Sequence, residues 1–198
     1  MSHYFETPTG DEQRREISAT IWGQPFSFTT AAGVFSGSRL DPGTAVLLRS
    51  VTPPDRPNLR LLDLGCGFGP IAIALAALCP TAHVTAIDVN QRALELTRHN
   101  AARAAVDVHV LTPNDVPPHA RFDEIWSNPP IRIGKAALHE LLTTWLSRLN
   151  QGGAAYLVVG RNLGADSLQV WLQDNGWPTT KLASAKGYRV LQVSAAPC

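Results

Sequence analysis

The residues best suited to chemistry are Asn128, Pro129 and Pro130, which directly follow the apolar run Phe122-Asp123-Glu124-Ile125-Trp126-Ser127. Two consecutive prolines fix the backbone dihedrals and delete two N–H donors, leaving a rigid corner with carbonyl acceptors and the Asn128 amide. Such a corner suits an amino group on an sp² carbon, whose lone pair is delocalised and poorly nucleophilic. Two acceptors that take its hydrogens hold it in place and favour pyramidalisation, which frees the lone pair for attack. Taken alone, Asn-Pro-Pro serves equally well as a plain turn.

A second cluster lies upstream. Leu61-Leu62-Asp63-Leu64 is a short apolar run, and Gly65, Gly67 and Gly69 follow it at alternate positions before the apolar segment Ile71–Leu78. A strand that ends in closely spaced glycines and re-enters as a helix forms the first turn of a nucleotide-binding α/β sheet, because a Cβ there would block a ligand from the backbone. The spacing is G-x-G-x-G, not the dinucleotide fingerprint G-x-G-x-x-G. A tight strand–helix turn with no ligand satisfies the same pattern. Support comes from His83-Val84-Thr85-Ala86-Ile87-Asp88, a second strand ending in a carboxylate about 20 residues on, where this architecture takes the hydroxyls of a ribose. Asp88 as a simple helix cap is the other reading, and Asn90 can cap the next helix without it.

Positioning these groups requires a sheet. From Leu59 the pattern alternates between strand and helix: a helix over about 90–104, a strand at 106–111, a strand at 122–127 and a helix over 135–149. An Asn150–Gly153 turn, a buried strand at 155–159 and a helix over 165–175 follow. Thr180–Ala183 and Tyr188–Val193, joined around Gly187, read as an antiparallel pair. The expected fold is α/β: a doubly wound Rossmann-like sheet, mostly parallel with an antiparallel last strand, plus a small N-terminal β extension. In that extension Glu16–Gly23 and Gln24–Thr29 alternate as a hairpin, and Asp41-Pro42 opens a helix to about Ser50. Residues 1–50 are therefore expected to pack as an extension on a catalytic domain at 51–198. In this topology Gly65–Gly69, Asp88, Asn114 and Asn128 all follow strands and converge at the carboxyl edge.

The formal net charge is +1, so the total advertises no polyanion-binding protein. Beyond Ala120, however, eight positive charges stand against five negative ones, as an RNA-facing patch or as ordinary solvated surface. Cys66, Cys79 and Cys198 lack metal-ligand spacing, and Cys66 and Cys79 read as small buried thiols. With a polar start at Met1–Arg15 and no run of ~20 apolar residues, a cytoplasmic protein away from membranes is expected.

With both clusters in view the sequence resembles the class I S-adenosylmethionine-dependent methyltransferases of the amino-methylating Asn-Pro-Pro type. Within them it is similar to the methyltransferase small domain group, which includes ribosomal RNA small-subunit guanine-N2 methyltransferases. The matching segments are His3-Tyr4-Phe5, Gly33-Val34-Phe35-Ser36, Leu40-Asp41, Gly43-Thr44, Leu62–Gly69, Asp88-Val89-Asn90, Phe122-Asp123, Ser127–Pro130 and Gly187–Val190. The resemblance implies S-adenosyl-L-methionine as cofactor. It implies Phe35 and Ser36 at the methionine end, Asp63, Gly65, Cys66, Gly67 and Gly69 in the cofactor loop, Asp88 and Val89 at the ribose, and Asn114 or Asp115 at the adenine. Asn128, Pro129 and Pro130 fall at the catalytic corner, with Asn128 also beside the cofactor. Ile131, Arg132 and Lys135 fall on the substrate side.

Two departures stand out. Ribosomal RNA members carry a second, amino-terminal copy of the domain, so this chain is expected to be a stand-alone member. Many Asn-Pro-Pro enzymes also place a stacking aromatic after the motif, worth ~1–3 kcal/mol per base, where this chain has Ile131. The implied mechanism is in-line transfer by alignment and poised acceptors, requiring no metal. Guanine N2 of ribosomal RNA is the expected target. A protein glutamine amide, an amine in DNA, and a non-catalytic cofactor-binding module for RNA assembly are the alternatives, and the intact corner argues against the last.

Overall fold

The computed structural model describes residues 14–34 and 39–196. His3–Phe5, Phe35, Ser36 and Cys198 lie outside the described residues. A seven-stranded sheet runs in the order β5-β4-β3-β6-β7-β9-β8, and a separate two-stranded sheet pairs β1 with β2. Strands β3 (Arg60–Leu64), β4 (His83–Ile87), β5 (His109–Leu111), β6 (Phe122–Ser127) and β7 (Leu149–Gly160) are parallel. β9 (Tyr188–Ser194) runs antiparallel between β7 and β8 (Thr179–Ala185). The expected Rossmann-like sheet is thus borne out, with two antiparallel pairings at one end.

Side-chain alternation along β3 sends Leu61 to one core and Leu62 and Leu64 to the other. The first core is closed by helices α1 (Pro42–Ser50), α2 (Pro70–Leu78) and α3 (Gln91–Arg103), the second by α4 (Lys135–Leu146) and α5 (Ala165–Asp174). Strand order reverses between β3 and β6, so a crevice opens at their carboxyl ends. Ser127 closes the base of that crevice by donating its hydroxyl to the Leu64 carbonyl at 2.7 Å.

The hairpin β1 (Arg14–Ile21) and β2 (Gln24–Ala31) turns through Trp22 and Gly23, both at positive φ, as a two-residue loop between right-twisted strands requires. Trp22 is a poor residue for that conformation, but its indole sits edge-on to Trp126 and donates to the Val51 carbonyl at 2.8 Å. Asn100 docks the hairpin on the sheet. Its side chain accepts from Thr29 N and donates to the Thr29 and Phe68 carbonyls, so one buried amide joins β2, α3 and the glycine turn.

Three sequence expectations need correction. The helix expected over 135–149 stops at Leu146, and Leu149 instead begins β7, paired with Phe122. Leu149 faces the same core as the helix, which is why the helical spacing in the sequence runs on through it. Asn150–Gly153 is accordingly a bulge within β7, pinned by Asn150 Nδ2 donating to Asp123 at 2.8 Å. The strand expected at 106–111 shortens to 109–111 because Val106 belongs to the cap of α3. Val106 N donates to the Ala101 carbonyl and Ala105 N to that of Ala102, a Schellman closure with Ala105 at φ 52°.

Glycine is the relaxed residue at such a position. Ala105→Gly should therefore stabilise the fold by about 1 kcal/mol, raising the melting temperature by roughly 2–4 °C. A thermal melt showing a lower midpoint would contradict this reading of the cap.

Candidate active site

The glycine turn is closed on itself. Gly65 N and Cys66 N both donate to the Ile87 carbonyl at 2.9 Å, Gly69 N donates to the Cys66 carbonyl, and Gly67 N donates to Asp88 Oδ2 at 3.0 Å. A phosphate cradle needs free N–H groups aimed at the ligand; here four of them are engaged internally. What the turn offers instead is room. Gly65 and Gly67 have positive φ, and nothing lies within 4 Å of where a Cβ would stand on either. The site therefore fits a ligand that approaches the bare backbone without anionic phosphate, as a nucleoside bearing a positive sulfonium does.

Asp88 stands at the end of β4 with Oδ1 accepting from Asn90 N at 2.9 Å and Oδ2 from Gly67 N. Burial pushes its carboxyl above the usual carboxylate range, while these N–H groups pull it back. The Val89 N–H bears on it as well, and the carboxyl keeps acceptor capacity for a hydroxyl donor. Val89, next along, is 55% exposed and offers an apolar face. Cys66 lines the crevice, but its thiol is turned in beside Thr97 and burial raises it well above an ordinary thiol. Its place in the loop is thus one of size, not reactivity.

At the corner, Asn128 Nδ2 donates to Asp41 Oδ1 at 2.7 Å and to Thr44 Oγ1 at 3.1 Å. The amide carbonyl oxygen Oδ1 is left as the acceptor on the other branch. The Pro129 carbonyl already accepts from Ile131 N at 2.8 Å, so one lone pair remains on it. Asp41, Thr44, Gly65, Gly67, Phe68 and Asn128 line one shared crevice, which brings the glycine turn and the corner together as the strand pattern requires. The parts played by Asp41, Thr44 and Ser127 escaped the sequence reading. Asp41 was legible there as a helix cap and, like Thr44, within a segment that carries the family resemblance.

The substrate-side residues separate. Ile131 and Lys135 line a second cleft of about 290 Å³ between the starts of α4 and α5, with His139, Leu163 and Ser167. Arg132 is exposed and lines neither cleft. Near the second cleft the His139 ring stacks on Trp171, 3.7 Å between centroids. Asn114 and Asp115 sit on a short turn after β5, both exposed, and Asp115 is engaged by Thr112 Oγ1 at 2.6 Å.

Asp63 lies directly under the site. It is 0% exposed, one oxygen accepts from Ala72 N at 3.0 Å, and Oδ1 has no partner among the described residues. Burial raises its carboxyl to about 7.

Residues 25–192 match the family model of the methyltransferase small domain. The chain is 30% identical over 194 residues to the uncharacterized protein YbxB of Bacillus subtilis, covering 96% of each. It is 36% identical over 141 residues to ribosomal RNA small subunit methyltransferase C of Actinobacillus pleuropneumoniae, covering 68% of this chain and 43% of that protein. Among solved structures, the 16S rRNA N2 guanine methyltransferase RsmC of Thermus thermophilus, in complex with AdoMet and guanosine, superposes with a TM-score of 0.81 at 26% identity. That match covers 94% of this chain and 52% of that one. A ribosomal protein L11 methylase from Lactobacillus delbrueckii superposes with a TM-score of 0.63 at 25% identity, covering 80% and 85%. The chain thus spans about half the length of the ribosomal RNA methyltransferases it matches and nearly all of YbxB.

A raised carboxyl makes a testable pH dependence. The unfolded chain sheds the Asp63 proton near 3.8, whereas the folded protein keeps it to about 7. Stability should therefore decline as pH rises from about 4 to about 7, by on the order of 4 kcal/mol from this group, and level off above. Asp63→Asn keeps an acceptor for Ala72 N and removes the titration. Melting temperatures across that window should fall more steeply for wild type than for the variant, and equal slopes would contradict the assignment. The glycine turn, the carboxylate after the second strand and the Asn-Pro-Pro corner agree with the comparisons: the chain belongs to the methyltransferase small domain family.

Proposed function

We propose that the protein methylates the exocyclic N2 amine of guanine in ribosomal RNA, with S-adenosyl-L-methionine as donor. The observation that carries this reading is the Asn128 amide, whose N–H groups are taken by Asp41 and Thr44 so that its carbonyl oxygen is the group offered to an amine. S-adenosylmethionine supplies a methyl group already electrophilic on a sulfonium. The chain's own contribution is to bind, align and accept. Asp88 takes the ribose hydroxyls with Val89 beside it, Asn114 meets the adenine, and the bare faces of Gly65 and Gly67 admit the nucleoside. Asn114 is preferred over Asp115 because Thr112 already engages the latter. Asn128 Oδ1 and the remaining lone pair of the Pro129 carbonyl take the two hydrogens of the target amine, and Pro130 stiffens the corner.

RNA as the substrate is supported by where the positive charges fall. Arg132 and Lys135 follow β6, Arg161 follows β7, and Lys186 lies in the β8–β9 turn, which Arg161 N joins by donating to the Gly187 carbonyl at 2.7 Å. All four are exposed at the carboxyl edge of the sheet, and none is in an ion pair with a described residue. By contrast Arg189 is paired with Asp166, and Arg148 lies over the Trp145 ring, so neither belongs to this set. Lysines and arginines around a site supply the phosphate-facing share of nucleic-acid binding. Ile131 and the neighbouring cleft would give the base an apolar wall in place of a stacking aromatic.

Incubation with labelled cofactor and total RNA, DNA or protein, followed by nuclease and nucleoside analysis, tests the reading. Label in N2-methylguanosine is expected; label surviving nuclease but lost to protease would move the target to protein. Asn128→Ala should keep cofactor binding and lose roughly 100-fold or more in turnover, and full activity would remove it from the mechanism. Asp88→Ala should weaken cofactor binding by calorimetry. Replacing Lys135, Arg161 and Lys186 by glutamine should weaken RNA binding and flatten its salt dependence; an unchanged salt slope would place the RNA elsewhere.

A further inference from the structure

We propose that Asp41 and Thr44 are positioning residues that lock the Asn128 amide with its oxygen toward the incoming amine, and that the Asp41 carboxylate gives this neutral corner the negative charge the reaction needs. The inference rests on the reading of Asn128 as the amine acceptor. A carboxylate oxygen only accepts, so the branch of the amide 2.7 Å from Asp41 Oδ1 has to be the NH₂ group. A flipped amide would set two acceptors against each other. Thr44 Oγ1, 3.1 Å away on the first turn of α1, receives the same group and completes the clamp.

Asp41 is itself fixed. The same Oδ1 accepts from Gly43 N at 2.7 Å and Thr44 N at 3.0 Å, so it caps α1 and anchors Asn128 with one atom. Gly43 makes this close approach possible, since a Cβ there would lie 2.8 Å from Tyr188 Cε1 and 2.9 Å from Asp41 Oδ1. A hydrogen bond to a carboxylate draws electron density across the amide toward its oxygen and strengthens it as an acceptor. Transfer leaves positive charge on the amine nitrogen until a proton departs to water. A corner backed by a carboxylate suits that nitrogen better in the transition state than in the neutral ground state.

The test compares wild type, Asp41→Asn, Thr44→Val, Asn128→Ala and the Asp41→Asn/Asn128→Ala pair. In ¹⁵N spectra of the whole chain, the Asn128 side-chain NH₂ (assigned by its loss in Asn128→Ala) should exchange with water more slowly than exposed asparagines, and faster in Thr44→Val. Exchange as fast as exposed asparagines in wild type would overturn the clamp, and this arm needs no substrate. With RNA, Asp41→Asn still caps α1 and should lower kcat roughly 10–100-fold, with KM and cofactor affinity unchanged and no further loss in the Asn128→Ala background. An unchanged kcat, a full multiplicative loss in the pair, or lost cofactor binding would overturn the role of the charge. Wild type without turnover on any RNA would instead count against the guanine reading, leaving the exchange arm to decide the clamp.

Discussion

One oxygen, Asp41 Oδ1, receives three N–H groups, from Gly43, Thr44 and Asn128. The first two start a helix, and the third comes from a corner 87 residues further along the chain. This atom therefore ties the N-terminal segment to the end of the central strand β6. It can do so because Asp41 precedes a helix whose early N–H groups have no intrahelical partners, and because Gly43 leaves room for Tyr188 to close over the junction. The hairpin, α1 and the parallel sheet share one apolar core, so the junction is backed by packing as well as by hydrogen bonds.

The glycine turn follows a complementary logic. Four of its N–H groups are taken by Ile87, Cys66 and Asp88, so it contributes shape more than positive potential. The carboxylates near it, Asp63 and Asp88, are both raised by burial. A nucleotide phosphate brought here would meet acidic groups and a turn with four of its N–H groups already engaged. A nucleoside with a cationic sulfur needs no phosphate cradle and finds the Asp88 oxygens as acceptors, which connects the details of the turn to methyl transfer rather than to dinucleotide binding.

Charge beyond Ala120 looked in the sequence like a mild excess spread over many residues. Folding sorts it. Arg189 is neutralised by Asp166 and Arg148 covers an indole, whereas Arg132, Lys135, Arg161 and Lys186 come from three different connections to one edge. Among the described residues no helix is long and apolar enough to cross a membrane.

The sequence by itself determined the alternation of strands and helices, the glycine turn, the carboxylate after β4 and the Asn-Pro-Pro corner. Each is a local pattern, set by side-chain period, by missing Cβ atoms or by fixed proline dihedrals. Where local patterns were ambiguous they misled: Leu149 suits a helix face and a strand equally, and Val106 is a cap residue that looks like a strand residue. Only the tertiary structure decided which way the Asn128 amide turns, that Asp41 and Thr44 hold it, and that four scattered cations come to the same edge of the sheet. Those outcomes depend on groups brought together across 84 or more residues, or across several sheet connections. A hydrogen bond of that range leaves no periodic trace in the chain, because its geometry exists only after the sheet has closed.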